Sequence, residues 1–183
     1  IREGRARLDA VLAFTSTADP AARARVLNGA ATLAHNEGDN RAAQRLLQEA
    51  LAVHRALGDD RGVAEVLNNY SWVACELTSL EEAEALGREA LERNRALGET
   101  RGVALSLNNL GWIAAYRGEC AEAARRLGES LEIRRSLDDR RGIAFAAANL
   151  AWAELLRGDF AEAERRLDEA FAALAGLEDH LLT

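Results

Sequence analysis

Three histidines, two cysteines and one oddly placed glutamate are the side chains from which this 183-residue chain could assemble covalent or metal chemistry. His35, His54 and His180 are scattered and show no metal-ligand spacing. His35 and Cys75 lie 40 residues apart at equivalent positions, but no third ligand accompanies them. Cys75 and Cys120 read as small, semi-buried residues rather than nucleophiles. Glu154 stands where Ala34, Ala74 and Ala114 occupy the matching positions, so it marks either altered packing in the last unit or a contact with Arg117, Arg157 or solvent. No partner carboxylate, histidine cleft or glycine-rich anion loop accompanies it, as acid/base catalysis would require. The 23 basic residues are all arginine, and without lysine there is no Schiff base and no phosphate-loop lysine. The sequence therefore predicts no catalytic residue, no metal site and no cofactor.

The chemistry that the residues do favour is recognition by hydrogen bonding and aromatic contact. Asn28, Asn68 and Asn108 form one series at 40-residue intervals; Asn69, Asn109 and Asn149 form a second; Trp72, Trp112 and Trp152 form a third. An amide can donate to and accept from a peptide backbone at once, and a tryptophan offers about 150–250 Å² of rigid contact area. The longer strings containing them also recur: Arg61-Gly62-Val63-Ala64, Arg101-Gly102-Val103-Ala104 and Arg141-Gly142-Ile143-Ala144 open each repeat. A fixed period of this size is the mark of stacked structural units, each burying its apolar face on its neighbours.

Those units must be helical. One proline, Pro20, and glycines at regular intervals leave long uninterrupted helical patterns. Turn signals fall around Gly38, Thr78, Gly118 and Gly158, and around Gly58, Gly98, Asp138 and Glu178. Each unit is thus two helices and two short turns, over 20–60, 61–100, 101–140 and 141–180. Residues 2–18 form a truncated preceding unit, with 2–14 as its second helix. Asp19-Pro20 supplies a cap and a proline at the first helical position. Ser79 to Glu82 fits a capping box, in which the Glu82 side chain reaches back; Glu119 to Glu122 and Asp159 to Glu162 repeat the spacing with acidic caps. Small residues recur where helices must approach closely: Ala31, Ser71, Gly111 and Ala151; Ala43, Ala83, Ala123 and Ala163; and Ala50, Ala90, Ser130 and Ala170. Leu27, Leu67 and Leu107 with Leu51, Leu91, Leu131 and Phe171 are the expected shared core.

The spacing of Leu67, Ser71, Ala83, Ala90 and Leu91, and of Leu107, Leu110, Gly111, Gly118, Ala123, Leu127 and Leu131, resembles the tetratricopeptide repeat. The resemblance implies an all-α, right-handed α-solenoid of antiparallel helix pairs, a single superhelical domain over 1–183. The units depart from the usual period of about 34 residues by lengthening the second helix through Leu57, Leu97 and Leu137, and they lack the closing proline. Longer units with a Leu-Asn-Asn-Leu-Gly first helix look like those of kinesin light chain and of bacterial multidomain regulators. The strings Leu57-Gly58-Asp59-Asp60-Arg61-Gly62-Val63-Ala64 and Glu3-Gly4-Arg5-Ala6-Arg7-Leu8 resemble most the repeat domains of large bacterial signal-transducing ATPases and their transcriptional-activator relatives. The start at Ile1 and this resemblance together predict a segment of a longer bacterial regulatory protein.

At about 100° per residue, Val63, Val66, Leu67, Tyr70, Ser71, Val73, Ala74 and Leu77 share one half of their helix. Glu65, Asn68, Asn69, Trp72, Cys75 and Glu76 share the other. The resemblance places that second face on the concave side, where partner peptides lie in tetratricopeptide proteins. The expected binding wall is Asn28, Asn68, Asn69, Trp72, Asn108, Asn109, Trp112, Tyr116, Phe145, Asn149 and Trp152. The same residues could instead tie successive units together, and a groove wall can do both. The wall grows less polar along the chain, from Arg25, His35 and Asn36 to Phe145, Leu155 and Leu156. The apolar end, where Leu181-Leu182-Thr183 falls at the start of another first helix, predicts further units or a homodimer through the C-terminal repeat, with an oligomerisation scaffold as the alternative function.

A net charge of −7, with arginines alternating with carboxylates, predicts solvated salt-bridged faces and no direct nucleic-acid binding. No apolar run approaches the ~20 residues needed to cross a bilayer, and two cysteines make no disulfide framework. A cytoplasmic location and no membrane contact are expected.

Overall fold

The helices start on a 20-residue beat. The structure, a computed structural model, describes residues 19–77 and 79–178. First helices are α1 (Pro20–Asn36), α3 (Asp60–Leu77), α5 (Thr100–Tyr116) and α7 (Arg140–Arg157). Second helices are α2 (Asn40–Leu57), α4 (Leu80–Ala96), α6 (Cys120–Ser136) and α8 (Phe160–Glu178). The described residues are all-α, and each first helix packs against the second helix that follows it. Two compact units divide the chain, one ending at Leu97 and the other beginning at Gly98. The truncated unit over 2–18, Thr78, His180 and Leu181-Leu182-Thr183 lie outside the described residues.

Local chemistry explains the beat. Gly38, Gly58, Gly98, Gly118 and Gly158 all have positive φ, the left-handed conformation that closes a helix most easily without a Cβ. Asp138 takes the same conformation, at φ 48°, where the matching turns have Gly58 and Gly98. Glu178, expected near a turn, is instead the last helical residue of α8.

Helix starts follow side-chain length. Asp19, Asp39, Ser79 and Asp159 each accept a backbone N–H three residues on, from Ala22, Ala42, Glu82 and Glu162, at 3.0 to 3.2 Å. Glu119 makes no such bond, contrary to the expected acidic cap, because one extra methylene carries its carboxylate past the amide. The Glu82 side chain accepts from the Tyr70 hydroxyl at 3.4 Å, where the capping box had it reaching back to its own helix start.

The small residues singled out by their spacing are buried. Ser71 Oγ donates to the Ala83 carbonyl at 2.9 Å and Ser130 Oγ to that of Ala104 at 2.7 Å, so each buried hydroxyl is satisfied by the backbone of the paired helix. A Cβ on Gly111 would come within 2.7 Å of Leu127, which explains glycine where the other repeats have alanine or serine. Leu27, Leu67, Leu107, Leu51 and Leu131 are buried, Leu91 is half-buried, and Phe171 departs from the expected core with 66% of its surface exposed. Second helices within each unit are linked by arginine and glutamate 34 residues apart, Arg55 to Glu89 at 3.2 Å and Arg135 to Glu169 at 2.5 Å. Exposed pairs of this kind set register more than stability.

Candidate functional site

Successive first helices within each unit present the asparagine and tryptophan series side by side. In the N-terminal unit, Asn69 Nδ2 donates to Asn28 Oδ1 at 2.9 Å, and Asn28 Nδ2 donates to Glu65 Oε1 at 3.0 Å. In the C-terminal unit, Asn149 Nδ2 donates to Asn108 Oδ1 at 2.8 Å. The second asparagine of one repeat thus reaches the first asparagine of the repeat before it, a step of 41 residues. Asn28, Asn68, Asn108, Asn109 and Asn149 are buried and Asn69 is half-buried. Projecting a single helix puts these amides outside its core stripe; a neighbouring helix then covers them. Buried amides of this kind are expensive to leave unpaired, so the bonds between repeats hold the register of the stack.

The tryptophans divide by unit. Trp72 donates its indole N–H to His35 Nε2 at 2.9 Å, and the rings meet edge to face at 6.4 Å. His35 Nδ1 lies 2.8 Å from Asn40 Oδ1, and Asn40 Nδ2 donates to Glu76 Oε2 at 2.6 Å. With Nε2 accepting from the indole, Nδ1 is the nitrogen that faces the Asn40 Oδ1 acceptor. This polar network occupies the position at which the sequence suggested a His35–Cys75 approach. Burial, and then the neighbouring Glu76 carboxylate, push the Cys75 thiol up, away from the thiolate a nucleophile needs. The described residues contain no group of three histidine, cysteine or acidic side chains able to hold a metal.

In the C-terminal unit the rings face one another instead. Trp112 and Trp152 stack with centroids 4.3 Å apart, and Tyr116 lies 6.0 Å from Trp112 and 6.4 Å from Trp152. Two parallel stripes run along α5 and α7: Leu105, Asn109, Trp112 and Tyr116 beside Phe145, Asn149, Trp152 and Leu156. The tryptophans are half-buried against the core formed by Leu127, Leu131 and Leu150, whereas Tyr116 and Phe145 are each 53% exposed. The face can therefore bury an apolar segment on exposed rings while its rigid base is already packed.

Glu154 is buried and accepts from Arg157 Nη1 at 2.8 Å, one of the two arginine contacts that its position suggested. Sequence reasoning missed a different pair. His54 Nδ1 lies 2.8 Å from Asp59 Oδ2, and Arg134 Nη1 donates to Asp139 Oδ2 at 2.7 Å. Both aspartates also cap a first helix through Oδ1, accepting from Gly62 and Gly142 at 3.0 Å. The Gly62 backbone N–H, and then His54, hold the Asp59 carboxyl below its usual range. A Cβ on Gly62 would meet the His54 ring at 2.1 Å, and one on Gly142 would meet Arg134 at 2.2 Å. The recurring glycine of the Arg-Gly string was the available signal: it leaves room for the linking side chain.

The tetratricopeptide repeat profile matches residues 22–96, 75–136 and 104–175. The chain belongs to the tetratricopeptide repeat family. Among solved structures it is similar to BtubC (BKLC) from P. vanneervenii, at 26% identity and a TM-score of 0.74, covering 89% of this chain and 67% of that one. It is also similar to a Rap protein complexed with Competence and Sporulation Factor, at 18% identity and a TM-score of 0.84, over 90% of this chain and 46% of that one. A third similar structure is a signal transduction ATPase with numerous domains, with a tetratricopeptide repeat sensor, from Pyrococcus horikoshii. There the identity is 14% and the TM-score 0.71, over 90% of this chain and 26% of that one. The chain spans under half of the Rap protein and about a quarter of the ATPase. No curated protein matches it in sequence. Tetratricopeptide folds serve generally as interaction scaffolds. No helix among the described residues is long and apolar enough to cross a membrane.

Proposed function

We propose that this chain is a non-enzymatic peptide-recognition module, the sensor or interaction segment of a larger, cytoplasmic bacterial regulatory protein. The observation that carries this reading is the pair of stripes on α5 and α7, where half-exposed Tyr116 and Phe145 extend from a stacked Trp112–Trp152 base. An exposed aromatic surface on a preorganised support can bind an extended or helical apolar segment without first ordering itself. The buried asparagines supply that support. Two of the similar structures lend the reading a regulatory setting, one in complex with a Competence and Sporulation Factor and one with a tetratricopeptide repeat sensor.

The test is selection of displayed peptides on the 183-residue chain, followed by binding measurements on a Tyr116→Ala/Phe145→Ala variant. Both side chains are half exposed, so the variant keeps its melting temperature. Selected peptides that lose at least about tenfold in affinity, roughly 1.4 kcal/mol, support the reading. Peptides that bind both proteins equally, or no selectable peptide at all, reject it.

A further inference from the structure

Each of the two stripes on α5 and α7 begins with an arginine. Arg101 lies one turn before Leu105 and Arg141 one turn before Phe145, and each stripe, arginine included, stays within about 80° on its helix circle. Both arginines are exposed. Among the described residues of the C-terminal unit every other arginine has a bonding or charge partner; Arg101 and Arg141 have none. Two guanidinium groups at the same repeat position are thus left as uncompensated positive charge.

The helices that carry them supply no counter-charge. α5 and α7 contain a single carboxylate between them, Glu154, and it is buried and bound to Arg157. Before α7, Asp139 is held by Arg134 and the Gly142 N–H, and Asp138 makes no ion pair with Arg141. The N-terminal unit is the contrast: α3 has Glu65 and Glu76 where α5 has Leu105 and Tyr116, and its Arg61 has a partner. An apolar wall with a free cationic end therefore belongs to α5 and α7.

We infer that the segment held on the α5–α7 stripes is acidic at one end, with two closely spaced Asp or Glu side chains on Arg101 and Arg141 while its apolar residues cover Tyr116 and Phe145. The inference rests on the peptide-recognition reading proposed above and adds the charge of the ligand. A guanidinium takes a carboxylate through paired N–H donors, so two of them call for two carboxylates. An acidic pair supplies both; a chain terminus supplies one. Packed helices lie about 8–10 Å apart, and acidic residues two apart on an extended strand lie about 6.6 Å apart, a difference that the long arginine side chains span. Elsewhere a chain at −7 repels such a segment, so the arginines also set its register.

The probe is a synthetic library of short peptides, acetylated and attached through a C-terminal amide, so that every carboxylate in it is a side chain. Peptides captured by the 183-residue chain should be enriched in closely spaced Asp or Glu. As free amides they should bind Arg101→Gln/Arg141→Gln at least about tenfold more weakly than the parent. Exchanging their acidic residues for Asn and Gln should cause the same loss on the parent and no further loss on the variant. Both arginines are exposed and unpaired, so the variant should keep the parent circular dichroism melt. Arg41→Gln/Arg45→Gln, which removes the same charge from exposed positions on α2, should bind as the parent does. Peptides that bind the parent and Arg101→Gln/Arg141→Gln alike, or a control variant that loses as much, overturn the inference; if Tyr116→Ala/Phe145→Ala still weakens those peptides, the peptide-recognition reading survives. Affinity that appears only with a free C-terminal acid overturns it in favour of a chain end. No captured peptide, or none that depends on Tyr116 and Phe145, removes that reading and this inference with it.

Discussion

Trp72 and His35, from consecutive first helices, share one hydrogen bond from the indole N–H to Nε2, at 2.9 Å. Removing the acceptor should be felt at the indole: we expect the Trp72 indole N–H resonance and Trp72 fluorescence to change in His35→Leu and to stay near the parent's in His35→Gln. His35→Leu should lower stability in urea by about 0.5–1.5 kcal/mol, while His35→Gln, which keeps an acceptor, should lower it less. A Trp72 signal that His35→Leu leaves unchanged would contradict the bond.

Glycines inside helices here have opposite roles at different positions. Nothing lies within 4 Å of a Cβ added to Gly128, so Gly128→Ala should stabilise by roughly 0.5–1 kcal/mol through helix propensity. At Gly62 the same change drives a methyl into the buried His54 ring and the Asp59 carboxylate, at 2.1 and 2.6 Å. Gly62→Ala should cost about 1–3 kcal/mol, the penalty of overpacking. Denaturant midpoints moving in opposite directions are the expected result; two changes of the same sign would refute the distinction.

Asn108 and Asn149 are both buried, and their 2.8 Å bond crosses from one repeat to the next. Asn108→Ala leaves the Asn149 amide without this acceptor and should cost about 1–3 kcal/mol. A double-mutant cycle with Asn149→Ala should show coupling of at least about 0.5 kcal/mol. Additive effects would mean that the two amides act independently.

Glu122 is bound by Arg125 at 2.7 Å and Arg126 at 2.5 Å, and these arginines, Arg125 foremost, pull its carboxyl down to about 2. A depressed carboxylate stabilises the fold fully above its unfolded value of about 4.3, and the contribution is lost as pH falls from there toward about 2. Carboxyl carbon NMR should find Glu122 titrating last among the glutamates, and Glu122→Gln should flatten the acid limb of the stability curve. A Glu122 midpoint near the ordinary value would show that the arginine pair does not hold in solution.

The helical class, the 20-residue beat of the helices and the small-residue contacts are legible in the amino-acid sequence by itself. They depend on local chemistry: left-handed turns at Gly38, Gly58, Gly98, Gly118 and Gly158, short aspartate and serine caps, and alanine, serine or glycine at the helix contacts. The periodicity also singles out the asparagines and tryptophans. Their allocation is not legible there, because a projection of one helix cannot include the neighbour that covers it. Only the packed structure shows the asparagine bonds between repeats and the His35 network on Trp72, and only it shows Trp112 stacked on Trp152. Phe171 makes the same point in reverse: it sits in the leucine register of every second helix, yet whether that register is core or surface depends on what packs against it. Elements of this chain follow from interactions a few residues apart. Which of their faces are left to bind something follows from contacts some forty residues apart, and those exist only once the repeats have stacked.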